Sequence, residues 1–170
     1  MTSLDERWPS VALAPLMRLR VLGATLPGVA YEERTLAVPF GDVWSFIADL
    51  ERSVPSFDPL VRSVQILDRS DDGEHLVLRA RPSPFLFRVE LTEGLCLMHS
   101  AVFMVVMAAE ARGVDATRFG HLEGIPTSGS RVMRALQRPI VRSLRGLHRR
   151  NVRHDINGIE RCLRDGPRHR

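Results

Sequence analysis

From Ser128 to about Arg164 the chain has no strong turn signal except Pro139, and its apolar residues recur at helical spacing. Val132, Leu136, Ile140, Leu144, Leu147, Ile156, Ile159 and Leu163 lie mostly three or four residues apart, one stripe of a 3.6-residue period. Arg131, Arg134, Arg138, Arg142, Arg145, Arg149 and Arg153 form a second, basic stripe at the same spacing. Most of the stability of such a helix comes from packing its apolar stripe, so it needs a surface to lie against. The upstream chain supplies one, because it reads as short strands with one apolar face. The expected architecture is α+β, a curved antiparallel sheet around one long C-terminal helix. Ser128 or Ser130 is the candidate N-cap, Gly166-Pro167 the stop, and Pro139 is expected to kink or split the helix.

The upstream elements follow from turn residues and periodicity. Residues 1–30 read as an extension whose prolines interrupt an apolar run, and Leu13 to Leu22 suits a short amphipathic helix with Arg18 and Arg20 outward, packing on its own domain or serving as a membrane-surface or partner-binding segment. The run is too short to cross a bilayer, and no basic stretch precedes it as in a signal peptide. Tyr31 to Val38 suits a first strand. Pro39 ends it and opens a helix in which Phe40, Val43, Trp44, Ile47 and Leu50 share a face. Pro55 and Pro59 leave room for a short second helical turn at most. Leu60–Leu67 and Glu74–Arg81 form a hairpin about Asp72-Gly73. Phe85–Leu91 is the next strand. Leu95–Ala111 is split near His99–Val102 or is one bent strand, and Thr117–Gly124 is the last strand. The domain therefore spans 31–165, with 166–170 a tail.

The 170 residues fit one domain. All twenty-four basic residues are arginine. From Ser128 onward the balance is +9, and over residues 1–127 it is −5, so the helix is a positive rod on a mildly acidic body. That stripe suits solvent, an anionic membrane or ligand contacted through Arg142, Arg145 and Arg149, or nucleic acid. No aromatic residues interleave with it, which disfavours nucleic acid. Cys96 and Cys162 have no metal-like spacing and read as reduced thiols of a cytoplasmic protein. The histidines are scattered without a zinc pattern, so no metal is expected. No nucleophile elbow, phosphate loop or dinucleotide fingerprint is present, so no cofactor is expected. Leu95–Ala111 could lie at a sheet edge and pair across a homodimer.

Residues 31–67 carry a pattern that resembles the N-terminal signature of the START-like, or SRPBCC, superfamily. There a first strand is followed by a proline, a helix with Val-Trp, an acidic residue at its end, and an aromatic-x-Pro segment. Here these are Pro39, Val43-Trp44, Asp49 and Phe57-Asp58-Pro59. Many relatives carry Trp where Phe57 stands. The meander and long helix extend the resemblance over about 31–165. It implies a helix-grip fold with a cavity between sheet and helix, and members that bind apolar molecules or act as cyclases. The iron site of the oxygenase branch is set aside, because the chain has neither that length nor a visible two-His, one-carboxylate cluster.

A cavity wall would come from the inward faces of the strands and helix. The apolar candidates are Leu76, Leu78, Phe85, Phe87, Leu97, Phe103, Val105, Met107, Phe119, Met133, Leu136 and Ile140, a set that would equally fill an ordinary core. Among polar residues, His121 and Glu123 alternate with Phe119 on one strand face and could do acid–base work on a polyketide-like carbonyl, or sit at the surface. His99, within an apolar run, is a core histidine or a further catalytic candidate. Arg79, Arg81 and Arg88 suit a carboxylate or phosphate head group, or a solvated face paired with Glu74, Glu90 or Glu93. The first functional reading is a binder of an apolar lipid or polyketide-like molecule. The second is a cyclase or dehydratase. The third is an interaction module using the basic helix.

Overall fold

The computed structural model describes residues 13–125 and 131–165, the side chains of 131–143 excepted. The elements follow as α1 (Pro15–Thr25), β1 (Val29–Leu36), α2 (Phe40–Ala48), α3 (Leu50–Phe57), β2 (Ser63–Arg69), β3 (His75–Arg81), β4 (Leu86–Thr92), β5 (Leu95–His99), β6 (Met104–Ala111), β7 (Thr117–Gly124) and α4 (Arg131–Asp165). The seven strands form one sheet in the order β1-β7-β6-β5-β4-β3-β2, every neighbouring pair antiparallel. This is the α+β, helix-grip arrangement expected, with α4 lying over β1 and β7 beside α2 and α3.

Two layers of core explain the sheet's alternation. On the gripping face Leu76, Leu78, Phe87, Val89, Met98, Met107 and Phe119 pack with Val152, Ile156 and Ile159 of α4. On the opposite face α1 sets Leu16 and Leu19 against Leu95, Val106, Ala108 and Leu122. The close approach of α1 requires Gly120, where a Cβ would stand 2.5 Å from Leu19 Cδ2 and 2.8 Å from Leu16 Cδ2. Glu110 caps this helix from a distance, its Oε1 accepting the Leu16 amide at 2.9 Å. Arg18 and Arg20 are half-buried rather than outward, held by Glu90 and Glu33.

Several expectations change. Pro59 leaves α3 intact, and this helix makes two turns with Pro55 inside it; the proline gives up one amide bond, to the Glu51 carbonyl, while the Ser53 amide still donates to the Asp49 carbonyl and the Asp58 amide to the Val54 carbonyl. The backbone of α4 runs through Pro139 as one helix of 35 residues; a proline removes one hydrogen bond from a long ladder and does not by itself end it. Leu95–Ala111 divides at Ser100–Phe103, and both halves are interior strands paired on each side. The exposed edge that would have supported a homodimer is therefore not there; β1 and β2 are the edges. Leu147 is 53% exposed, and His148 takes the buried place on the stripe. The proposed caps Ser128 and Ser130 lie outside the described residues. Cys96 is buried, which pushes its thiol up to about 12. No described helix is long and apolar enough to cross a membrane.

Candidate functional site

Strand period and helix period converge on one spot. In β7 the odd positions Phe119, His121 and Glu123 face α4, while Gly120 and Leu122 face α1. In α4 His148, Val152, Asp155, Ile156 and Ile159 fall on one buried stripe, so His148 and Asp155, two turns apart, both point at β7. His121, Glu123, His148 and Asp155 are 1%, 5%, 7% and 5% exposed.

The contacts are close. His121 Nε2 lies 3.4 Å from Asp155 Oδ2 and 4.0 Å from Glu123 Oε2. His148 Nδ1 meets Glu123 Oε1 at 3.2 Å, so Glu123 stands between the two imidazoles. Both ring nitrogens of His121 and Nε2 of His148 are buried without a hydrogen bond among the described residues. Buried polar atoms are normally satisfied, and unsatisfied ones mark function or an absent partner. Asp58, at the end of α3, adds a fifth ionisable group. Burial pushes its carboxyl up to about 6, aided by the charges of Asp155 and Glu123 and opposed by the Leu60 amide and His121. That amide donates to Asp58 Oδ1 at 2.8 Å.

The cluster is set into an apolar wall. Met107 is the cross-strand neighbour of His121, and Val105 that of Glu123. The Phe103 ring tilts against His148 at 5.6 Å between centroids. Beside it, a surface cleft of about 480 Å³ runs between β1 and α4, lined by Ala30, Tyr31, Arg145, Gly146 and Arg149, and Ala30 is itself paired with Glu123. Donor atoms of His121, Glu123 and Asp155 lie within 4.8 Å of one another, compact enough for a divalent cation. Two histidines and two carboxylates thus meet here, a set that spacing along the chain had not shown.

The individual candidates divide. Leu76, Leu78, Phe87, Met107 and Phe119 are in the gripping-face core, with Phe103 and Val105 packed at its margin. Leu97 is on the other face, against the α1 core, because β5 turns Cys96 and Met98 inward. Phe85 precedes β4 and is 41% exposed. His99 ends β5 on Leu97's side and is exposed, so it is neither a core histidine nor a neighbour of His121. Met133, Leu136, Ile140 and Arg142 have side chains outside the described residues. Arg149 and Arg153 both reach Glu32, which partly neutralises the basic stripe, while Arg145 is exposed. His148 and Asp155 were missed because the stripe was read as apolar; the available signal was two polar residues at helical spacing within it.

No family model matches the chain, and no curated protein matches it. Among solved structures it is similar to the Zhui aromatase/cyclase from Streptomyces sp. R1128, at TM-score 0.60 and 15% identity over 80% of this chain and 93% of that one. It is similar to a START superfamily protein from Mycobacterium smegmatis, at TM-score 0.55 and 16% identity over 81% and 97%. Ara h 8.0201 follows at TM-score 0.52 and 14% identity over 81% and 98%. Identities this low carry the fold and nothing finer.

Proposed function

We propose, from the premise of a START/SRPBCC-like fold, that this chain holds an apolar small molecule bearing carbonyl or hydroxyl groups against its gripping face and moves protons on it. The reaction class is that of a polyketide cyclase or dehydratase. The supporting observation is the burial of His121, Glu123, His148 and Asp155 in an otherwise apolar wall. Taking charges out of water costs several kcal/mol per ion, and a plain carrier of apolar ligands gains nothing from four such groups. The likeness to an aromatase/cyclase agrees with this reading.

In the proposed reaction His121 takes a proton from the carbon between two carbonyls. Asp155, 3.4 Å away, stabilises the imidazolium. The enolate carbon attacks a second carbonyl of the same molecule, a C–C bond forms, and the new alkoxide takes its proton back from the cluster. Asp58, whose carboxyl is held up at about 6, is suited to exchange that proton near neutral pH. A second carbon-bound proton, taken by the base and passed to the departing hydroxyl, which leaves as water, would complete a dehydration. Val105 and Phe103, at the margin of the core, would hold the apolar body, with Met107 and Phe119 packed behind them to exclude bulk water.

The test uses linear poly-β-ketone thioesters with His121→Ala and Asp155→Asn. Turnover should fall 10²- to 10⁴-fold, as expected for loss of a proton-transfer group, while native mass spectrometry still finds the ligand bound. Ligand bound by every form and converted by none would leave the binder reading. Stoichiometric zinc in the purified protein, lost in His121→Ala, would reassign the same residues to a metal centre.

A further inference from the structure

We infer that the end of the sheet carrying the β3–β4 and β5–β6 loops docks on an anionic phospholipid bilayer. Charge is ordered along the strands. Arg79 and Arg81 close β3, and Arg88 lies near the start of β4. All three alternate with buried Leu78, Ala80, Phe87 and Val89 and so face outward, on the part of the sheet that α1 does not cover. Arg62, exposed just before β2, stands at the same end of the sheet, its amide donating to the Arg81 carbonyl at 2.8 Å. The same strands carry their acids at the other end: Asp71, Asp72 and Glu74 in the β2–β3 turn and Glu93 in the β4–β5 turn, all exposed.

The four arginines are exposed, and among the described residues none forms an ion pair. The acids that sequence offered as partners do not serve. Glu90 is taken by Arg18, and Glu74 and Glu93 are at the far end. Unpaired guanidiniums hold donors ready for phosphate oxygens.

Large apolar side chains stand at this same basic end. Leu60 is 65% exposed, Leu86 47%, Val102 44% and Phe85 41%. Leu86 pairs with Arg79, Leu60 precedes Arg62 by two residues, and Val102 tips the loop closed by the Ser100 amide on the Phe103 carbonyl. A nucleic acid or an acidic peptide would use the arginines and leave these apolar tips in water. An anionic bilayer takes both, phosphates on the cations and the tips at the acyl boundary.

The experiment is co-sedimentation of the full chain with vesicles of phosphatidylcholine alone and of equal parts phosphatidylcholine and phosphatidylglycerol. Binding is expected to the anionic vesicles only. Arg79→Gln with Arg88→Gln should weaken it roughly 30-fold, at about 1 kcal/mol per surface cation. Phe85→Ser with Leu86→Ser should abolish the part that survives raised salt. All four positions are exposed, and circular dichroism checks that the variants fold; Arg62→Gln with Arg81→Gln is the second pair if one does not. Absence of binding to anionic vesicles overturns the inference. So does binding that neither pair of substitutions moves, or that Arg145→Gln alone removes. Equal affinity for duplex DNA, unaffected by Phe85→Ser with Leu86→Ser, would also overturn it. None of these outcomes depends on whether His121 carries chemistry.

Discussion

His121 has almost no water contact and no hydrogen bond on either ring nitrogen among the described residues, with two carboxylates within 4.0 Å. Its replacement by alanine is therefore expected to remove turnover, as set out above. Asp58 gives a second residue-scale prediction, through pH. Its folded value of about 6 stands above the ordinary 3.8, so its contribution is fully present below pH 4 and is lost as pH rises through 6. Between those values the unfolded chain sheds the proton first, and the native state is penalised. Burial is the main cause, opposed by the Leu60 amide, and the charged neighbours that act on it are Asp155 and Glu123, which raise it, and His121, which lowers it. Asp58→Asn keeps an oxygen for the Leu60 amide and removes the charge. Urea unfolding at pH 4 and 7 should show wild type losing roughly 1–2 kcal/mol more than Asp58→Asn, after allowance for solvent screening. Equal losses would mean that Asp58 ionises freely. The pairing of His121 with Glu123 was legible from strand alternation alone. The positions of Asp155 and His148 opposite them were not, because nothing local links residue 121 to residue 155.

At the scale of elements, the two glycines of α4 differ in what they meet. A Cβ on Gly158 would stand 2.8 Å from the Phe57 carbonyl oxygen and 3.0 Å from Phe57 Cβ. Backbone cannot yield as a side-chain tip can, so Gly158→Ala should separate α3 from α4 and cost about 1–3 kcal/mol. Gly146 meets nothing within 4 Å, and Gly146→Ala should stabilise by about 0.5–1 kcal/mol through helix propensity. Chemical denaturation of the pair reads both signs. A Gly158→Ala protein as stable as wild type would show that α3 packs more loosely than its contacts indicate. The helix and most strands were legible because their periods are written in the chain. The interior position of β5 and β6 was not, since strand order depends on pairing rather than on composition.

Over the whole molecule, α1 makes the sheet two-sided. Leu16 and Leu19 are 1% and 0% exposed and seal a core separate from the gripping one. We expect Leu19→Ala to cost about 2–5 kcal/mol while leaving ligand binding on the opposite face intact in the surviving folded fraction. Thermal melts with and without ligand would separate the effects. A loss of binding in fully folded protein would show that the two faces are coupled. The short helix expected over Leu13 to Leu22 packs on its own domain, and it supplies a full layer of packing. Charge is also redistributed by folding: Glu32 draws Arg149 and Arg153 of the basic stripe, while four arginines on the sheet stay unpaired.

What the sequence by itself determined is what short-range physics controls. Alternation over Thr117–Gly124, the long apolar stripe and the Asp-Gly hairpin specify a sheet and one helix, and the Val-Trp and Phe-Asp-Pro segments point to the fold. Only tertiary structure decided which polar residues share a site. Strand register set Leu97 and His99 on the face away from His121, and helix rotation buried His148 instead of Leu147. The burial of His148 depends on contacts between residues far apart in the chain, as Glu123 and His148 are at 25 positions, and a local period carries no information about them.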